Sequence, residues 1–98
     1  MKAVLLKAQW CKTCQKQLAE YKVNPPSVDL VVFDLDDDKD ESRELCRLAN
    51  TFDVPTTFVF KKGFDRNDIG TWGDTFATKL VGLTRTRELE TEIRRFKY

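Results

Sequence analysis

Histidine is absent from this chain, cysteine occurs only three times, and no apolar run approaches the length of a membrane span. Each shortage excludes something. Without histidine, a zinc site loses its commonest nitrogen ligand. Three cysteines are an odd number and too few for the disulfide scaffold of a small secreted domain. With 4 Gly and 3 Pro, no linker or low-complexity tract stands out, and no internal repeat does either. No charge dominates: 17 basic against 16 acidic residues leave a formal +1. That balance argues against a nucleic-acid or polybasic membrane partner, since either wants a clear excess of positive charge. The opening run Ala3-Val4-Leu5-Leu6 is too short for a signal-peptide core, and Lys7 interrupts it. The expectation is a cytoplasmic monomer.

What is present suits one globular domain over 1–98, with 41% hydrophobic and 34% charged residues. Ala3 to Ala8 reads as a buried strand. Thr13 to Val23 reads as a helix with Cys14, Leu18 and Tyr21 on one face, stopped by Asn24-Pro25-Pro26. Val28 to Leu35 is a strand rich in Val and Phe. A second helix runs from about Glu41 to Phe52, on the spacing of Leu45, Leu48, Ala49 and Phe52. Thr56 to Lys61 is the third strand, and Thr78 to Val81 the fourth. A final helix runs from about Arg85 to Phe96, with Thr84 as its N-cap. The order is β-α-β-α-β-β-α. It predicts an α/β domain with a four-stranded mixed sheet flanked by three helices, its first two strands parallel. The polar stretch from Phe64 to Phe76 makes a long hairpin loop. Trp72 within it covers core or, alternatively, docks a partner.

Chemistry concentrates at Trp10-Cys11-Lys12-Thr13-Cys14, where a strand hands over to a helix. A helix N-terminus carries a partial positive charge that favours a thiolate there. Cys11 takes that place, and Lys12 adds positive charge nearby. Cys14, one turn further in, lies within reach and is more enclosed. The roles follow: Cys11 attacks a substrate disulfide, and Cys14 resolves the mixed disulfide and closes a redox-active Cys11–Cys14 disulfide. The reaction needs no metal and no bound organic cofactor. A structural zinc site needs four ligands, and only Cys46 remains beside the pair. Cys46 itself, on the second helix, reads as a packed thiol or, alternatively, as one with an auxiliary redox or dimerisation role.

These residues resemble the thioredoxin family. Trp10-Cys11-Lys12-Thr13-Cys14 resembles its Trp-Cys-Gly-Pro-Cys site. Val54-Pro55-Thr56 resembles its Ile-Pro-Thr cis-proline motif, at a matching separation. Val81-Gly82 resembles the Val-Gly that lines its substrate groove. The likeness covers nearly the whole chain, without the family's usual first strand and helix. It implies a thioredoxin-like fold and a protein-disulfide reductase, an electron carrier in redox homeostasis. It implies a cis Pro55 against Cys11, and a substrate surface of Trp10, Val54, Pro55, Thr56 and Gly82. Val54 would offer its backbone to an extended substrate segment. Implied partners are disulfide-containing proteins, with thioredoxin reductase or a glutathione system as reductant.

The chain departs from that pattern in three places. The family's buried Asp falls on Leu5, and its Lys partner on Val32. Lys7 stands where the family has Trp and shares a strand face with Leu5. Lys7 is therefore expected either to approach the cysteines and favour the Cys11 thiolate, or to be an exposed strand-end lysine. Asp53-Val54-Pro55 and Gly82-Leu83-Thr84-Arg85 match the glutathione grip of glutaredoxins poorly. Two rivals remain: a glutaredoxin-like, glutathione-dependent reductase, and a binding subunit on a thioredoxin fold. The run Asp34, Asp36, Asp37, Asp38, Asp40, Glu41 resembles a calcium loop. Lys39 and Leu45 occupy its obligatory Gly and Glu positions, so it reads as a strand end before a helix N-terminus.

Overall fold

The structure is a computed structural model that describes residues 1–97. The chain runs β1 (Lys2–Lys7), α1 (Lys12–Val23), β2 (Asp29–Asp34), α2 (Lys39–Ala49), β3 (Thr56–Phe60), a 3-10 turn (Ile69–Thr71), α3 (Trp72–Thr75), β4 (Phe76–Val81) and α4 (Thr86–Lys97). The sheet order is β2-β1-β3-β4. β1 runs parallel to β2, while β3 is antiparallel to both β1 and β4. The expected order and strand directions are present. The added element is α3, a single turn inside the long hairpin loop. No helix among the described residues is long and apolar enough to cross a membrane.

Side-chain alternation along β1 builds two cores. Val4 and Leu6 face one side, where Phe33, Phe58 and Phe60 join Leu45, Cys46 and Ala49 of α2. Ala3 and Leu5 face the other, with Val59, Tyr21 of α1, and Leu89 and Ile93 of α4. Leu30 and Val32 of β2 pack on this second side, so Asp34 and Lys7 close the same face at its cysteine end.

Two expectations need correction. The second helix does not reach Phe52: Asn50 adopts a left-handed conformation that ends it, and Phe52 is 84% exposed. Thr84 is not the cap of α4, which starts at Thr86. Its hydroxyl bonds the Gly82 carbonyl instead, and its amide is taken by Gln17. Trp72 does cover core, as expected: it is fully buried, which removes the docking alternative. It sits among Phe33, Phe60 and Phe64, and its indole N–H donates to the Asp65 carbonyl at 2.8 Å. Those contacts require the chain to turn inward after β3, which is why the loop carries α3.

Candidate functional site

The end of β1 and the start of α1 set the cysteines. Cys11 is the N-cap of α1, in extended conformation (φ −92°, ψ 110°). The Cys14 amide donates to Cys11 Sγ at 3.1 Å. An N-cap side chain normally accepts such a bond from the second or third helical residue, and here the acceptor is sulfur. The Cys11 sulfur therefore receives a helix-terminal N–H and lies at the positive end of the dipole. Cys11 is 8% exposed and Cys14 is wholly buried. Both are free thiols, as is Cys46. Burial first, and then the hydrogen bond to Cys11, push the Cys14 thiol up to about 11.

The loop before β3 closes the site from the other side. The Val54–Pro55 peptide bond is cis. Cys11 Sγ lies 3.9 Å from the Val54 carbonyl oxygen, and Val54 and Leu35 pack on the cluster of Ala8, Cys11 and Cys14. Pro55 is buried. Its carbonyl accepts the Gly82 amide at 2.8 Å, which ties the end of β4 to the proline loop. Trp10, Val81 and Leu83 are the exposed apolar residues beside this seam, at 69%, 50% and 51%.

Gly82 has a φ of +86°, with open space where a Cβ would stand. The strain on any other residue would thus come from the backbone alone. Gly82→Ala is expected to cost about 1–2 kcal/mol, read as a lower denaturant midpoint with an unchanged slope. A midpoint equal to wild type would count against the left-handed requirement.

The sequence-predicted residues do not all meet. Cys11, Cys14, Val54, Pro55 and Gly82 come together, with Trp10 at the rim. Thr56 is wholly buried, and its hydroxyl donates to the Asp53 carbonyl at 2.7 Å. Its side chain braces the loop from within and is not offered to a substrate. Lys12 is exposed at the first position of α1. Lys7 is neither an exposed strand end nor directed at Cys11. Its ammonium donates to Asp34 Oδ2 at 2.9 Å, and its charge acts on Cys14. The Lys7 ammonium in turn holds the Asp34 carboxyl below its ordinary range, helped by the Asp36 amide.

The acidic run spends much of itself on the backbone. Asp34 Oδ1 accepts the amides of Asp36 and Asp37, and Asp38 Oδ2 accepts the Asp34 amide. Asp40 and Glu41 sit in the first turn of α2, at its positive end. Cys46 belongs to the α2-side core, and burial pushes its thiol up.

Two residues were missed in the sequence. Gln17 is fully buried, and its amide bridges both backbone groups of Thr84, at 2.8 Å and 2.6 Å. Asp34 partners Lys7. Neither has a local signature, since each acts across more than twenty residues of chain.

Comparison with solved structures settles the architecture. Thioredoxin-2, a component of the malaria parasite protein secretion machinery, superposes with a TM-score of 0.66 at 19% identity, over 96% of this chain and 81% of its own. Mitochondrial thioredoxin 3 from Saccharomyces cerevisiae, in its oxidised form, gives 0.62 at 19% identity, over 97% and 77%. The Plasmodium falciparum thioredoxin gives 0.59 at 19% identity, over 97% and 70%. The chain has the thioredoxin fold. No family model matches the sequence, and no curated protein matches it. The thioredoxin fold hosts several functions, so the chemistry must be argued from the site itself.

Proposed function

We propose that this protein is a thiol–disulfide oxidoreductase that reduces protein disulfides through Cys11 and Cys14. One observation carries the reading. Cys11 Sγ caps a helix, accepts the Cys14 amide, and lies beside the carbonyl that precedes a cis proline. Cys11, at the N-terminus of α1, attacks one sulfur of a substrate disulfide as its thiolate, and the other sulfur leaves as a thiolate. Cys14, one helical turn inward, then attacks Cys11 and displaces the second substrate sulfur. The substrate gains two electrons, and the pair ends as a Cys11–Cys14 disulfide.

The backbone of Val54 would align an extended substrate segment by strand-like pairing. Trp10, Val81 and Leu83 would supply apolar contact along it. Partners on this reading are disulfide-bearing proteins and a thioredoxin reductase or glutathione system that resets the pair, in a reducing compartment. Insulin-disulfide reduction coupled to either system tests the proposal. Turnover with a thioredoxin reductase is the expected result. Turnover with glutathione alone would shift the reading to a glutaredoxin-like enzyme, and none with either would overturn it.

A further inference from the structure

α2 carries Lys39, Arg43 and Arg47 against Asp40, Glu41 and Glu44. The cations recur every fourth residue, which sets them in one row along the helix. All of them line a groove of about 650 Å³, and none of the acids does. Leu35, Cys46 and Phe52 give the groove its apolar surface. Helix stability does not account for the row. Asp40 and Glu41 suit the positive first turn and Arg47 the last, but Lys39 opens the helix, where the dipole disfavours a cation. Glu44 pairs with Arg47, while among the described residues neither Lys39 nor Arg43 has an ion-pair partner. Phe52, beside them, is a large aromatic left in water.

This groove adjoins the cysteines. Leu35 lines it and also packs on the cluster of Ala8, Cys11 and Cys14. Phe52 stands on the same loop as Val54, whose carbonyl lies 3.9 Å from Cys11 Sγ. We propose that the groove selects the substrates of the cysteine pair: it holds a segment of the disulfide-bearing partner that carries an apolar side chain and acidic residues beside its reactive cysteine. The inference rests on the disulfide-exchange reading above and narrows its substrate class.

Each part of the groove has its share. The apolar side chain of the partner lies against Leu35 and Phe52, over a floor that includes the buried Cys46. Its carboxylates meet Lys39 and Arg43, and Arg47 adds less because Glu44 already holds it. Asp36, Asp37 and Asp53 are exposed on the flanking loops but line none of the groove. An exposed ion pair is worth little by itself, so the row acts by its sum and by steering the encounter. Lys39, Arg43 and Phe52 are specificity residues: none of them touches the reacting sulfurs.

Symmetric disulfides of a short cysteine peptide test this, one flanked by Leu and Asp and the other by Leu and Lys. Each is reduced by the pre-reduced protein, and each rate is normalised to that of dithiothreitol. The Asp peptide should react about ten-fold faster at low ionic strength, and molar salt should remove the difference. Lys39→Glu combined with Arg43→Glu should abolish or reverse the preference. Both residues are exposed, so the rate of this variant with a small neutral disulfide should stay within about two-fold of wild type. Phe52→Ser should slow both peptides about five-fold and spare the small disulfide. Equal wild-type rates for the two peptides overturn the inference, as does a preference that survives the double reversal or a Phe52→Ser protein with wild-type rates. So does a dimer in sedimentation that Phe52→Ser dissociates, which would give the groove to a second copy of the chain. A wild-type protein that reduces neither the peptides nor the small disulfide would instead remove the disulfide-exchange reading.

Discussion

A Cys14→Ser protein is expected to stop half-way through the reaction and accumulate as a covalent adduct through Cys11. The reason is geometric. Cys11 Sγ already accepts the Cys14 amide at 3.1 Å, so the second thiol is held within a turn of the mixed disulfide. Groups held in such geometry reach effective molarities of about 10⁵ M or more. Millimolar external thiol cannot replace them, so release of substrate should slow by at least about a thousand-fold on that scale. Cys46 offers no rescue, because it is buried in the core on the α2 side of the sheet. The adduct is read by mass spectrometry without reductant, or by a mobility shift that reductant reverses. Cys11→Ser should form no adduct at all, since Cys14 is fully buried in the free protein. A Cys14→Ser protein that keeps more than about a tenth of wild-type turnover would contradict this prediction. It would show that an external thiol resolves the mixed disulfide, as in a monothiol route.

How much of this was legible in the sequence depends on the range of each interaction. The cysteines sit at a strand-to-helix junction, and that junction is a local pattern of an apolar run followed by helical spacing. Pro55 and Gly82 are legible only by resemblance; the Val54 carbonyl before Pro55 lies 3.9 Å from Cys11 Sγ, and the Gly82 amide bonds the Pro55 carbonyl. Strand parity placed Lys7 on the face of Leu5. It could not supply Asp34, which stood in an acidic run whose simplest meaning was a helix start. The pairing follows only from the β1–β2 register, which a single sequence does not display. Phe52 failed for the opposite reason. The apolar period continued through it, but Asn50 in its left-handed conformation had already ended α2. Trp72 lay in a polar stretch whose average composition hid one large residue with a core to fill. Lys79 carries no local signature either, although its ammonium bonds the Ala49 carbonyl at the C-terminus of α2. A cation is favoured there by the helix dipole.

Gln17→Leu is expected to be the costliest polar substitution outside the cysteine pair. Leucine nearly matches glutamine in volume, so little cavity opens and the loss is one of hydrogen bonding. The Gln17 amide now serves the Thr84 carbonyl at 2.8 Å and the Thr84 amide at 2.6 Å, and Thr84 is 2% exposed. Leucine leaves both backbone groups buried without partners, at about 1–3 kcal/mol each. Taking the lower part of that range, about 1–2 kcal/mol for each of the two neutral groups, the total of about 2–4 kcal/mol is a large part of the stability of a small domain. It would lower the melting temperature by roughly 10–25 °C. The affected loop joins Gly82, tied to Pro55, to the start of α4. The variant should therefore also lose affinity for protein disulfides, while reaction of Cys11 with a small disulfide is spared. Gln17→Glu gives a signed control. A carboxylate there can accept from the Thr84 amide but cannot donate to its carbonyl, and burial disfavours its charge. Its folded pKa would lie above the unfolded value of about 4.3, so the protonated acid is the form that stabilises the fold. Stability of the Gln17→Glu protein relative to wild type should be greatest below that pH and fall as pH rises through the folded pKa. Parallel stability-against-pH curves for the two proteins would show that the Thr84 carbonyl does not depend on the Gln17 donor.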